Sequence, residues 1–231
     1  MKTIGLLGGM SWESTVSYYQ LLNQSVNKKL GGLHSAKIIL NSVNFDEIEK
    51  LQRQGDWAQT AKILSKAAQA VEASGADFLI ICTNTMHKVF DTISNSVSIP
   101  LIHIADATAV ELQQQNITKV GLLGTKFTME QDFYKGRLKD KFAIDVIVPN
   151  EVDQQMIHQV IYQELCLGKI NDSSKVQYLN IINRLHQQGA QAIILGCTEI
   201  ALLIDQKDTE VLLFNTTAIH AQAAAEFAML Q

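Results

Sequence analysis

Lys2-Thr3-Ile4-Gly5-Leu6-Leu7-Gly8-Gly9 returns later in the chain as Thr118-Lys119-Val120-Gly121-Leu122-Leu123-Gly124-Thr125. A second stretch, Gly75-Ala76-Asp77-Phe78-Leu79-Ile80-Ile81-Cys82-Thr83, returns as Gly189-Ala190-Gln191-Ala192-Ile193-Ile194-Leu195-Gly196-Cys197. The two offsets, 116 and 114 residues, are close enough that one duplicated unit with a small indel explains both. The repeat pairs Thr83 with Cys197. If duplicated units place equivalent strand ends across a pseudo-twofold axis, a ligand in the cleft meets Thr83 from one side and Cys197 from the other.

The chain has 231 residues, so each half is large enough for its own core. The expected division is residues 1–115 as an N-terminal domain and 116–215 as a C-terminal domain. An Ala-rich helix at 216–231 is expected to return to the first domain. Short apolar runs of strand type lie near residues 3–7, 37–43, 78–81, 101–103, 120–123, 146–148, 192–195 and 211–214. Between them, Trp57, Ala61, Leu64, Ala68 and Val71 recur at three and four residues and predict one helical stripe. Ile157, Ile161 and Leu165, then Val176, Leu179, Ile182 and Leu185, predict two more. Strands alternating with helices read as an α/β fold, here two pseudo-symmetric domains, each a parallel sheet flanked by helices. Gly75 and Gly189 stand where a helix ends before a strand, and Pro100 and Pro149 stand at strand ends.

Composition excludes several classes of function. A net charge of −4 with no Lys or Arg block gives no footprint for nucleic acid or an anionic membrane. Cys82, Cys166 and Cys197 are odd in number and too few for a disulfide framework, which points to a reducing, cytoplasmic setting. The N-terminal apolar run is too short to span a bilayer, and Trp12 and Glu13 stand where a signal cleavage site would need small residues. The glycines after the first strand lack the spacing of a nucleotide loop. Cys82, His87 and Cys197 lack the paired spacing and fourth partner of a zinc site, so no metal is expected. His34, His103, His158, His186 and His220 are scattered and suggest no arrangement. Asp106 could orient another group, but nothing identifies which.

In parallel sheets, ligands bind beyond the carboxyl ends of the strands. Thr83-Asn84-Thr85 and Cys197-Thr198-Glu199 follow such strands directly. A helix starting after Thr85 or Thr198 would aim amides and hydroxyls at a small carboxylate. The loop from Gly124 to Thr128, with Thr125 at its centre, and its counterpart at Gly8-Gly9-Met10-Ser11 add further donors. Buried cysteines are commonly inert, but Cys197 lies at a strand end among polar residues. Cys82 aligns with Gly196 and is expected to point away from the ligand, and Cys166 is expected to be packing.

Gly-Leu-Leu-Gly-Gly-Met-Ser-Trp-Glu-Ser at the start, Thr83-Asn84-Thr85-Met86-His87, and Leu195-Gly196-Cys197-Thr198-Glu199-Ile200 together resemble the aspartate/glutamate racemase family. The resemblance spans the whole chain and follows the duplication. It implies an isomerase that needs no cofactor and uses two groups on opposite faces of the substrate α-carbon. Cys197 falls on the second thiol, which acts on the L enantiomer. Thr83 falls where the family has its first cysteine. A thiol is ordinarily half-ionised near pH 8.5, and a cleft of donors would lower that further, whereas a threonine hydroxyl is a poor base.

The resemblance therefore implies α-proton abstraction from L-aspartate- or L-glutamate-type substrates by Cys197, with reprotonation from the Thr83 side. Because the enantiomers have equal energy, kcat/KM must be equal in the two directions for a complete racemase. Asn84, Thr85, Thr125 and Thr198 are the candidates for the α-carboxylate, and Met10 for the pocket wall. The distal carboxylate falls to Gln52 or Arg53, with a second position near residues 167–169. The implied partners are a small-molecule amino acid and a second copy of the chain, with no nucleic acid and no membrane. A single-thiol decarboxylase of malonate-type acids and a non-catalytic amino-acid binding protein are the alternative readings.

Overall fold

In the computed structural model, residues 1–230 are described. The first half runs β1 (Ile4–Gly8), α1 (Trp12–Leu30), β2 (Ile38–Ser42), α2 (Phe45–Gln54), α3 (Trp57–Ala73), β3 (Phe78–Ile81), a 3-10 turn (Thr85–Val89), α4 (Phe90–Ser94), β4 (Leu101–Ile102) and α5 (Ile104–Gln114). The second runs β5 (Lys119–Gly124), α6 (Lys126–Glu130), α7 (Asp132–Phe142), β6 (Asp145–Ile147), α8 (Glu151–Gln163), a 3-10 turn (Leu165–Leu167), α9 (Asp172–Gln187), β7 (Ala192–Gly196), α10 (Ile200–Leu203), a 3-10 turn (Gln206–Asp208), β8 (Leu212–Asn215) and α11 (Thr216–Met229). Every apolar run read as a strand holds one.

The strands form two four-stranded parallel sheets, ordered β2-β1-β3-β4 and β6-β5-β7-β8, each flanked by helices. Register repeats along with order. Ile4 lies opposite Phe78 in the first sheet, and Val120 opposite Ala192 in the second. The chain divides into two compact units, Met1–Ile104 with residues 220–230, and Ala105–Ile219. The unit boundaries fall inside α5 and α11, whereas the sequence reading places them at 115/116 and 215/216.

Alternation along the strands divides the core of the first unit. Leu7, Leu79 and Ile81 turn to one face, against Leu64, Ala68 and Val71 of α3. Ile4, Leu6, Phe78, Ile80 and Cys82 turn to the other, against Tyr18, Leu22 and Val26 of α1 and Ala221, Ala224, Ala225 and Ala228 of α11. Cys82 is thus a core residue, and burial pushes its thiol far above the ordinary range. The alanine spacing gives α11 a thin apolar edge that suits close approach to a sheet. In the second unit, Leu123, Ile193 and Leu195 pack with Ile157 and Ile161 of α8 and Tyr178, Ile181, Ile182 and Leu185 of α9. Each fully buried aliphatic side chain of this kind contributes about 1.5–3 kcal/mol.

The α9 stripe differs from the expected one. Val176 is exposed, and the buried face is Ser174, Tyr178, Ile181, Ile182 and Leu185. Tyr178 supplies the extra volume and donates its hydroxyl to the Ile157 carbonyl at 3.1 Å, which fixes α9 against α8. Gly75 and Gly189 take φ of +96° and +94°, as the helix-ending role requires.

Candidate functional site

Four of the candidate positions follow the carboxyl ends of β1, β3, β5 and β7. In the second unit, Gly124 of β5 and Gly196 of β7 are register partners, so Thr125 and Cys197 each lie one residue beyond the same paired rung. In the first unit, the Cys82 amide donates to the Leu7 carbonyl at 2.9 Å, which extends the β1 to β3 pairing to the residue before Thr83. Met10, Gln52, Thr83, Asn84 and Thr85 belong to the first unit, and Thr125, Cys197 and Thr198 to the second. All eight are buried, with Thr83 and Cys197 each at 9% exposure.

In the first unit, Thr83 is held by its backbone. His87, in the 3-10 turn that follows, pairs through Nδ1 with the Thr83 carbonyl at 2.9 Å, and its Nε2 accepts the Ile104 amide at 3.2 Å. A carbonyl can only accept and an amide can only donate, so these bonds fix a neutral His87 with the proton on Nδ1. The turn after Thr85 is a 3-10 helix, where the sequence reading expected a helix with free amides. Met10 joins the α3-side core together with Ile48 and Met86.

Gln52 is buried on α2, and its Oε1 has no hydrogen-bond partner among the described residues. A buried, unpaired amide oxygen of this kind costs about 1–3 kcal/mol unless a ligand or water satisfies it. Arg53, the alternative at this place, is exposed and pairs with Glu49 at 3.0 Å. Leu167 is exposed, as is Lys169, whose backbone amide donates to the Glu164 carbonyl at 3.0 Å.

The second unit carries the thiol. Thr125 is the N-cap of α6: its hydroxyl accepts the Thr128 amide at 3.4 Å and lies 3.2 Å from the Thr128 hydroxyl. The Lys126 amide donates to His158 Nδ1 at 3.2 Å, so part of the donor set read at this loop is engaged locally. Cys197 follows β7, and its Sγ donates to Glu199 Oε2 at 2.9 Å. Cys166 Sγ donates to the other oxygen, Glu199 Oε1, at 3.7 Å.

The ionisation of Cys197 runs opposite to the sequence expectation. Burial comes first, followed by the negative charge of Glu199, and together they push the Cys197 thiol well above its ordinary range. Burial leads, and the neighbour that adds to it is an acceptor, where a set of donors was expected.

Three features of the structure are not visible in the sequence patterns. The strand-end motif that contains Glu199 assigns it no role, and the helical spacing of Cys166 implies packing alone. The signal for Glu199 was its place two residues after the strand-end cysteine. The histidines form an arrangement after all. The rings of His87 and His103 lie 4.5 Å apart, and those of His87 and His220 5.9 Å apart. His220 donates from Nε2 to the Ile102 carbonyl at 3.0 Å and accepts the Tyr18 hydroxyl on Nδ1 at 2.8 Å. With both nitrogens engaged and the ring buried, His220 is pushed down to about 4 and is neutral. Residues 87, 103 and 220 are too far apart in sequence for spacing to reveal them as a group. Among the described residues, no group of three or more His, Cys, Asp or Glu side chains is placed to hold a metal ion. None of the described helices is long and apolar enough to cross a membrane.

Two four-stranded parallel sheets flanked by helices are the fold of solved aspartate and glutamate racemases. Residues 7–224 match the profile of the Asp/Glu/hydantoin racemase family, and the chain belongs to that family. A racemase function, an isomerase activity, is supported on this ground. Among solved structures, the chain is similar over its whole length to a Yersinia pestis protein described as a candidate Asp/Glu racemase. Identity is 55%, the TM-score is 0.93 and all of that chain is covered. An aspartate racemase homologue from Pyrococcus horikoshii OT3 is 35% identical, with a TM-score of 0.87 and full coverage of both chains. The broad specificity amino-acid racemase RacX of Bacillus subtilis (strain 168) is 23% identical, with 95% of each chain covered.

Proposed function

We propose that the protein is a cofactor-independent racemase of aspartate- or glutamate-type amino acids, in which Cys197 removes the α-proton of the L form and a proton is returned from the Thr83 side. The observation that carries this reading is the Cys197 thiol at the end of β7, buried and bonded at 2.9 Å to a carboxylate that can take its proton. A thiol with an adjacent acceptor can become a thiolate without bulk base. His87 anchors only the Thr83 backbone, and the threonine hydroxyl, a poor base with one proton to donate, suits the proton-returning side.

Asn84, Thr85, Thr125 and Thr198 hold the α-carboxylate in this reading, and Met10 lines the pocket. A carboxylate can only accept, so Gln52 meets the distal group of an acidic substrate through its Nε2 amide, and its buried Oε1 is left for a donor on ligand or water. A neutral amide there exerts weaker charge selection than an arginine. Substrates beyond the two acidic amino acids are therefore part of the proposal, in keeping with the broad specificity named for the Bacillus relative. A homodimer acting in the cytoplasm completes it.

The test is α-proton exchange in deuterated water, followed by NMR together with chirality, for L- and D-aspartate and L- and D-glutamate. Exchange of the L forms that disappears in Cys197→Ser is the expected result. No exchange with any of the four would sink the racemase reading.

A further inference from the structure

The assignment below rests on Cys197 being the base of the proposed reaction. Both oxygens of the Glu199 carboxylate accept a thiol proton, Oε2 from Cys197 at 2.9 Å and Oε1 from Cys166 at 3.7 Å. Glu199 itself is 4% exposed. Two neighbouring ionisable groups are engaged elsewhere. Tyr178 donates to the Ile157 carbonyl and is held protonated by burial, while Glu164 takes the Ser174 hydroxyl at 2.7 Å. Cys166 sits on the 3-10 turn Leu165–Leu167, immediately after α8, and packs at the edge of the same core that contains Cys197.

We propose that Glu199 stores the proton of the Cys197 thiol during turnover and that Cys166 is a positioning residue that aims the Glu199 carboxylate at Cys197. In the resting site the proton is on sulfur and the negative charge on Glu199. Transfer along the 2.9 Å bond breaks S–H, forms O–H and moves the charge to sulfur. Net charge is unchanged, so this buried site neither gains nor loses an ion in the step. The thiolate then takes the α-proton: Cα–H breaks, S–H forms, and the electron pair stays on the α-carbon and its carboxylate. Reprotonation from the Thr83 side leaves that side one proton short and Glu199 one proton in excess, and exchange with solvent restores both.

Cys166 matters because a carboxylate is free to rotate about its last bond. A donor on one oxygen fixes the direction of the other. A thiol is a weak donor and the contact is long, so the expected contribution is several-fold.

Two readouts test the assignment on the full chain: alkylation of the Cys197 peptide by iodoacetamide as a function of pH, followed by mass spectrometry, and α-proton exchange of L-aspartate. Glu199→Gln removes the charge that opposes the thiolate, so the alkylation midpoint should fall by about one pH unit or more. Exchange should nevertheless fall by roughly a hundredfold, because the proton has lost its acceptor. Faster exchange in Glu199→Gln is what a merely structural carboxylate would give, and it overturns the assignment.

Glu199→Asp keeps the charge but shortens the reach, and is expected to keep a high midpoint while losing about tenfold or more in exchange. Exchange at the wild-type rate in that variant also overturns it, and this variant carries the test if Glu199→Gln does not fold. Cys166→Ala should lower kcat about three- to tenfold with KM within about twofold. An unchanged kcat removes Cys166 from the relay. If the wild-type protein exchanges no α-proton, the racemase reading fails, and the relay is still judged by alkylation: a midpoint unmoved by Glu199→Gln overturns it.

Discussion

The strand ends after β3 and β7 have the same place in sheets of the same order and register, yet they carry different chemistry. After β7 a thiol meets a carboxylate; after β3 a threonine follows a core cysteine and leans on a neutral histidine. Duplicated backbone geometry thus fixes where a strand-end side chain stands, and the neighbours in each half decide which groups it can share a proton with. Glu199 gives the Cys197 half an acceptor. In the first half the repeat places Thr85 at the position of Glu199, and the nitrogens of nearby His87 are spent on two backbone groups.

Making the halves alike should have the largest effect. Thr83→Cys is expected to raise α-proton exchange of the D forms by roughly a hundredfold or more, because a thiol replaces a hydroxyl of much higher pKa. Exchange of D-aspartate unchanged in that variant would show that the side chain at 83 does not limit the reaction.

The second contrast is in pH dependence. The histidine cluster belongs to the first unit, and His220 is held near 4 against an ordinary 6.5. Its folded-state pKa is depressed, so the unfolded chain binds the extra proton first. Stability from this residue is complete above about pH 6.5 and is lost as pH falls toward 4, in total roughly 3 kcal/mol. Urea unfolding at a series of pH values should show this loss, and His220→Gln should flatten it within that window. A wild-type profile flat between pH 6.5 and 4 would contradict it.

The smallest effect separates a glycine pair of the repeat. A Cβ at Gly5 would stand 2.6 Å from Val71 Cγ1 and 2.9 Å from the Phe78 carbonyl oxygen, which cannot move away. At Gly121 the nearest atoms are side-chain ends, Ile193 Cδ1 at 2.5 Å and Leu185 Cδ1 at 3.0 Å. Gly5→Ala should therefore cost about 2–3 kcal/mol and Gly121→Ala about 1 kcal/mol, read from chemical denaturation of each variant. Equal costs would mean that the β1 to β3 approach yields as easily as side chains do.

Much of the architecture was legible in the residues. The repeat of the 2–9 segment at 118–125 established two copies of one unit, and apolar runs bounded by turn residues marked all eight strands, because strand burial writes itself into local composition. The departure at Thr83 was legible for the same reason, since a repeat supplies its own reference. Val176 was misread because its spacing fits a helical stripe equally well, and only the partner helix decides which face turns inward.

What the sequence by itself determined, then, was the α/β class, the duplication and the Thr83 and Cys197 correspondence. All of these depend on patterns within short segments or between aligned copies. Tertiary structure alone decided that Cys166 and Cys197 share the Glu199 carboxylate, that Gln52 is buried while Arg53 is exposed, and that His87, His103 and His220 meet. Those are contacts between side chains distant in sequence or turned by a helix. Proton affinity depends on such contacts and on burial, neither of which a linear pattern encodes.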